Sequence, residues 1–233
     1  MVVNRERWRT YVWRIVDECV VIGFDSIFLI AVVSMFMGAV ASIQIYHTIT
    51  SPFVKNFLVG YSVREMMILE TAPTIMALVF AGKVGSSIAG QLGSMRMSEQ
   101  IDALEILGMN TTSYLVLPKI FASILTYPCL VVVSAFISIY SGFLAAEFVV
   151  FIAPEDYLFG LRYHFNPSSV LFAILKSITF AFLISSISAY RGFYLSGGAV
   201  AVGRASTRAV TDSCIAILLA DYILTQLLLH PFS

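Results

Sequence analysis

Charge is scarce in this sequence: 12% of its 233 residues are Asp, Glu, Lys or Arg, against roughly 25% in a soluble globular domain. With 59% hydrophobic residues and a mean hydropathy of +0.89, the chain cannot be polar all round, which places it among integral membrane proteins. Its 14 basic residues balance 14 acidic ones and are spread along the chain. That excludes an extended basic surface, and with it nucleic acid as a partner. Cysteine is scarce too: Cys19, Cys129 and Cys214 stand singly in apolar surroundings without CxxC spacing, so neither a metal site nor a disulfide framework is indicated. An intramembrane protease is excluded in the same way. Ser86 and Ser87 follow Gly85, but His47, His164 and His230 fall near span ends or in loops, and HExxH is lacking. The glycines of GGAVAVGRA mimic P-loop spacing, yet Arg204 and Ala205 stand where Lys and Ser/Thr are needed. No catalytic residue is expected.

What the chain has is length in its apolar runs. A spanning helix needs about 20 apolar residues. Such runs occupy approximately residues 20–46, 65–92, 115–151, 168–190 and 210–229, which predicts an all-α polytopic membrane protein of about five transmembrane helices in one domain. The first run starts too far in for a signal-peptide core, and no small-residue cleavage site closes it, so the N-terminus is expected to be retained. Ahead of it, Arg5, Arg7, Arg9 and Arg14 alternate with Trp8, Tyr11 and Trp13, while Trp8, Val12, Ile15 and Cys19 share a helical face. Residues 1–19 therefore read as an interfacial helix, with a basic stop-transfer flank as the alternative.

Pro128 stands inside the third run, which is longer than one span needs and would become a hairpin if the proline divided it. Charge favours one long helix. With the N-terminus inside, Arg5, Arg7, Arg9, Arg14, Arg96, Lys119, Arg191, Arg204 and Arg208 are cytoplasmic, against Lys55, Arg64 and Arg162 outside. A hairpin would move the last three cytoplasmic arginines to the far side. Residues 152–167, rich in proline and aromatics, then form a short periplasmic interfacial turn, and residues 191–208 a flexible cytoplasmic loop.

Residues 70–110 concentrate the remaining signals. Gly82, Ser86 and Gly90 recur at four-residue spacing on one helical ridge, and Gly85, Ala89 and Gly93 on the next, so another backbone can approach closely. Glu70, Lys83 and Gln91 lie in the second run and Lys176 in the fourth. Charge at such depth is costly, so these residues are expected to face protein or a wet cavity, as a polar network or lipid pathway. Glu70 and Lys83 are separated by about 20 Å along a helix and cannot pair. Lys176 is a candidate partner for Glu70, and a lipid headgroup is the competing one.

Residues 94–110 predict a short cytoplasmic helix. Ser98 is a favoured N-cap, Glu99 and Asp102 would occupy the first turn, and Gly108 and Asn110 supply the stop. Met97, Ile101, Leu104 and Leu107 form an apolar arc beside a stripe of Glu99, Asp102 and Glu105. That pattern suits a helix docking in a partner's groove, and equally a solvated surface face.

The order E-x-x-P, A-G-[basic]-x-G and L-G-x-M-[basic]-x-x-E-Q-I-D-A-L-E-x-[LM]-G is carried by Glu70, Pro73, Ala81, Gly82, Lys83, Gly85, Leu92, Gly93, Met95, Arg96 and residues 99–108. It resembles the MlaE/YrbE permease family of lipid-transporting, MCE-associated ABC transporters. Residues 175–225, from LKSITF to DYILT, are similar to that family's last third. Gln91 stands where members often have Glu, Lys83 where they often have Arg, and LETAP replaces the commoner RELGP.

The resemblance implies a homodimeric permease of about five spans in the bacterial inner (cytoplasmic) membrane. It would move phospholipid or a related lipid to or from an MCE-domain periplasmic protein, the transport that underlies outer membrane lipid asymmetry. It also implies a separate cytoplasmic ATPase that binds the ATP, often a small STAS-domain subunit, and no cofactor in this chain. Glu99, Gln100, Asp102, Ala103, Leu104 and Glu105 match the coupling helix that meets the ATPase. The residues leave one alternative, an ion-coupled secondary transporter with Glu70, Lys83, Lys176, Asp212 and Asp221 as a relay. Dependence on a partner ATPase separates the two.

Overall fold

The computed structural model describes residues 5–49 and 56–229, with side chains from 11 to 49 and from 56 to 227. Residues 1–4, Lys55 and His230, and the side chains of Arg5, Arg7, Trp8 and Arg9, lie outside the described residues. Among the described residues there are seven helices and no strand: α1 Arg5–Thr48, α2 Phe57–Met97, α3 Gln100–Ile106, α4 Thr112–Phe148, α5 Pro154–Arg162, α6 Pro167–Phe193 and α7 Ala199–Leu229. Helices α1, α2, α4, α6 and α7 are long and apolar enough to cross a membrane.

Four boundaries depart from the sequence reading. From Arg5 onward, the segment expected as a separate interfacial helix over residues 1–19 runs into the span without a break: α1 is one helix of 44 residues. Its charged N-terminal turns contain no glycine or proline that would break it. Ser98 does not cap α3; Glu99 does, in the left-handed region at φ 56°. Residues 152–167 hold a nine-residue helix rather than a turn, started by Pro154 with Glu155 and Asp156 in its first turn. The loop placed at 191–208 is mostly helical, since α6 runs to Phe193 and α7 starts at Ala199. Pro128, by contrast, leaves α4 continuous.

Helix α2 is not α-helical throughout. Met67–Ile75 and Ala81–Gly85 are π-helical. Pro73 lies in the first stretch and has no N–H to give, so the ladder widens there.

The chain divides into two compact units, one made of α1 up to Ser26, Ala77–Pro128 and the chain from Ser177 onward, the other of Ile27–Met76 and Cys129–Lys176. In the first unit the fully buried rings of Phe80 and Tyr127 lie 4.7 Å apart. Gly85, Ala89 and Gly93 form the packed ridge of α2: a Cβ on Gly85 would meet Ser188 Oγ at 2.9 Å, and one on Gly93 would meet the Leu195 and Val202 side chains at 3.3 and 3.4 Å. The other ridge is open at Gly82, where nothing lies within 4 Å.

In the second unit small polar residues join helices. Ser34 Oγ lies 2.8 Å from Ser134 Oγ, and Ser138 Oγ donates to the Ser34 carbonyl at 3.0 Å. Such bonds hold spans together where apolar burial gives no preference for protein over lipid. Ala41, Val59, Val63, Met67, Ala146, Ile152 and Tyr157 close the core, and α5 lies against the start of α2, with Phe57 edge-on to Phe159.

Candidate functional site

Helix α3 is held at its base and bare at its tip. Ile101 is fully buried. The Arg96 guanidinium lies 2.5 Å from Asp102 Oδ1, and Thr111 Oγ1 donates to Glu105 Oε1 at 3.1 Å. Ser98, expected to cap the helix, instead donates its hydroxyl back to the Ser94 carbonyl at 2.9 Å. Beyond this base, Ile106 is 87% and Leu107 75% exposed, with Glu99, Gln100, Ala103 and Glu105 also on the surface and Leu104 half-buried. The apolar arc is therefore split: Ile101 anchors it, while Met97 and Leu107 face outward. The acidic stripe is split as well, because Asp102 is engaged by Arg96 whereas Glu99 is free of ion pairs among the described residues.

Glu70 and Lys176 are brought together in the second unit. Lys176 Nζ lies 2.8 Å from Glu70 Oε2 and 3.3 Å from the Leu69 carbonyl. Lys83 is elsewhere, in the first unit, where its amine donates to the Asp25 backbone carbonyl. Gln91 accepts from Lys119 Nζ at 2.8 Å, and the same amine lies 2.5 Å from Glu18 Oε1. Of the residues in the relay alternative, Asp212 is paired locally with Arg191 at 2.6 Å.

Two polar groups escaped the sequence reading. Arg64, only 3% exposed, donates to the carbonyls of Leu161 and Tyr163 at 2.6 and 3.0 Å and pairs with Glu65 at 2.6 Å. It satisfies the last carbonyls of α5, a role for a cation at a helix C-terminus. The Glu18–Lys119 pair was equally hidden, because the two residues lie in different spans and neither belongs to a motif. The only available signal was that each is charged within or beside an apolar run.

Among the described residues no group of three or more His, Cys, Asp or Glu is placed to hold a metal ion. Burial pushes the Tyr157 phenol, on α5, from 10.0 up to about 12, with its hydrogen bond to Ser42 pulling weakly the other way.

The chain is similar to proteins from bacteria and from a plant chloroplast. The probable ABC transporter permease protein of Rickettsia bellii is 38% identical over 213 residues, covering 91% of this chain and 82% of that protein. The probable ABC transporter permease protein slr1045 of Synechocystis is 30% identical over 217 residues, 91% of this chain and 80% of that protein. The chloroplastic protein TRIGALACTOSYLDIACYLGLYCEROL 1 of Arabidopsis thaliana is 32% identical over 204 residues, 88% of this chain and 58% of that protein. The family described as Permease MlaE matches residues 15–227, nearly the whole described chain. The chain belongs to the MlaE permease family.

Proposed function

We propose that this chain is the membrane-embedded permease of an ABC transporter for phospholipid or a related lipid, driven by a separate ATPase that docks on α3. The observation that carries the coupling is the bare tip of α3: two large apolar side chains, Ile106 and Leu107, point away from a base fixed by Ile101 and the Arg96–Asp102 pair. An apolar tip on a rigidly held, acid-bearing helix fits a groove on a soluble partner and would be poorly hydrated without one. Movement of the partner on ATP binding would pass through α3 into α2 and α4 and shift the population of transport states.

The lipid pathway rests on Glu70. Its side chain is 49% exposed although it sits within a span, so a second copy of the chain or a lipid-filled cavity covers it. In this reading two copies enclose the cavity in the bacterial inner membrane. An MCE-domain protein exchanges lipid on the periplasmic side, with a STAS-domain subunit beside the ATPase. ATP is bound by the ATPase, and the permease itself performs no chemical step.

The test is purification from the native membrane with and without Ile106→Asp plus Leu107→Asp, and separately Glu99→Lys, Asp102→Lys and Glu105→Lys together. The wild-type chain is expected to bring down an ATPase and bound lipid, and both variants to reach the membrane without the ATPase. An undiminished ATPase partner in both variants makes α3 a solvated face. Gradient-driven transport by the chain alone would favour the ion relay.

A further inference from the structure

The first unit contains a cavity apart from Glu70, with Gln91 in its wall. It has a volume of about 420 Å³, and Arg14, Asp17, Glu18, Gln91, Tyr114 and Lys119 supply its polar wall. Val21, Met95, Leu115 and Pro118 supply an apolar ledge. A narrower extension of about 60 Å³ shares Glu18, Val21, Gln91 and Lys119 with it and continues to Asp25, Ser26 and Lys83. The mouth stands at the level of the span ends, because Met95 is close to the last residue of α2 and Tyr114 close to the first of α4. That is headgroup height.

The charges of the two compartments are balanced in number but not in engagement. Arg14, Lys83 and Lys119 face Asp17, Glu18 and Asp25. Lys119 is committed to Glu18 and Gln91, and Lys83 to the Asp25 carbonyl. Arg14 donates to the Tyr114 carbonyl and hydroxyl and lies over its ring at 3.7 Å, which leaves further N–H groups of the guanidinium for a ligand. Asp17, exposed at the mouth, has no ion pair among the described residues. Deeper in, Ser26 is 2% exposed and its hydroxyl has no hydrogen-bond partner among the described residues, with Ile22, Val84 and Ile88 beside it in the extension.

From this geometry we infer that the cavity binds the headgroup of an aminophospholipid, the phosphate on the remaining N–H groups of Arg14 and the primary ammonium on Asp17, with the glycerol and first acyl carbons on the Val21–Leu115 ledge. A purely anionic headgroup meets Asp17 and Glu18 as like charges. A quaternary ammonium has no open ring to rest on, since the guanidinium of Arg14 already covers Tyr114. A primary ammonium supplies the N–H donors that a bare carboxylate accepts. The site lies within one unit of one chain and stands whether or not the bound lipid is also the cargo.

The purified chain is titrated by calorimetry with dihexanoyl phosphatidylethanolamine, dihexanoyl phosphatidylglycerol and free phosphoethanolamine. The ethanolamine lipid is expected to bind most tightly, and Asp17→Asn to weaken it by about tenfold or more, the range of a charged hydrogen bond, without weakening the glycerol lipid. Equal affinity for the two lipids, or an unchanged affinity in Asp17→Asn, overturns the inference. Free phosphoethanolamine binding as tightly as its lipid overturns the membrane source of the ligand. A measurement on the wild-type chain guards against a misfolded variant. A water-soluble carbodiimide activates exposed carboxylates, and the lipid amine at the site should then form an amide with Asp17, seen as a mass increment on its peptide. Absence of that adduct, with the same lipid coupling only elsewhere, also overturns the assignment.

Discussion

Lys176 and Glu70 form an ion pair of unequal partners: Nζ lies 2.8 Å from Oε2, yet the lysine side chain is 5% exposed and the glutamate 49%. Removing the acid leaves an ammonium in the interior, whereas removing the base leaves a carboxylate that water or a headgroup can reach. Glu70→Gln is therefore expected to lower stability by about 3 kcal/mol, and Lys176→Met by distinctly less. Thermal melts of the two variants in the same detergent check the order. The reverse order would mean that the Glu70 surface is sealed by another protein surface.

The seam between α2 and α5 leaves no room for a methyl group. A Cβ on Gly160 would lie 2.0 Å from the Phe57 carbonyl oxygen, and one on Gly60 would lie 2.5 Å from that of Tyr157. Backbone atoms cannot step aside as a side-chain tip can. Gly160→Ala should cost about 1–3 kcal/mol or displace α5, while Gly82→Ala, with nothing within 4 Å, should be close to neutral. A melting temperature of Gly160→Ala equal to wild type would contradict the close approach.

Tyr157 makes stability base-sensitive. Below pH 10 the phenol keeps its proton folded or unfolded and contributes no slope. Between the unfolded value of 10.0 and the folded value of about 12, the unfolded chain releases the proton first and is favoured. Stability falls with rising pH, by about 2–3 kcal/mol once the folded value is passed. Tyr157→Phe should flatten that part of the profile, and an unaltered profile would show that other groups set it.

By the positive-inside rule the basic residues lead to the expectation that α3 lies inside and α5 outside. In intact cells Asp156→Cys should react with a membrane-impermeant thiol reagent, and Glu99→Cys only after permeabilisation. Labelling of Glu99→Cys in intact cells would invert the arrangement.

The spans were legible because a stretch of apolar residues has one solvent available to it, and no long-range information is needed to see that. The Gly85, Ala89 and Gly93 ridge was legible for a local reason, a four-residue repeat of small side chains. Lys176 could be named as a candidate for Glu70 because intramembrane charges are few enough to match by sign. Arg64 could not be assigned to the end of α5, since its partners are carbonyls and every residue has one. The Glu99 cap was hidden for a different cause: a side-chain preference at Ser98 lost to a left-handed turn that places Ile101 in the core. The wheel for α3 assumed that an apolar arc faces one way, and the structure gives Ile101 and Leu107 opposite roles.

The widened turns of α2 act as a store of sequence register. A π turn absorbs about one more residue than an α turn over the same hydrogen-bonded step, so the flanking α segments keep their phase despite the surplus. Deleting one residue within Met67–Ile75 could tighten that stretch and leave Gly85 and Gly93 still facing their neighbours. The same deletion in Ser86–Met97 has no surplus to draw on. It would turn every later side chain by about 100°, swinging Gly93 off Val202 and carrying the Arg96–Asp102 base of α3 round with it. The same helix is thus forgiving of length changes at one end and intolerant of them at the end that carries α3.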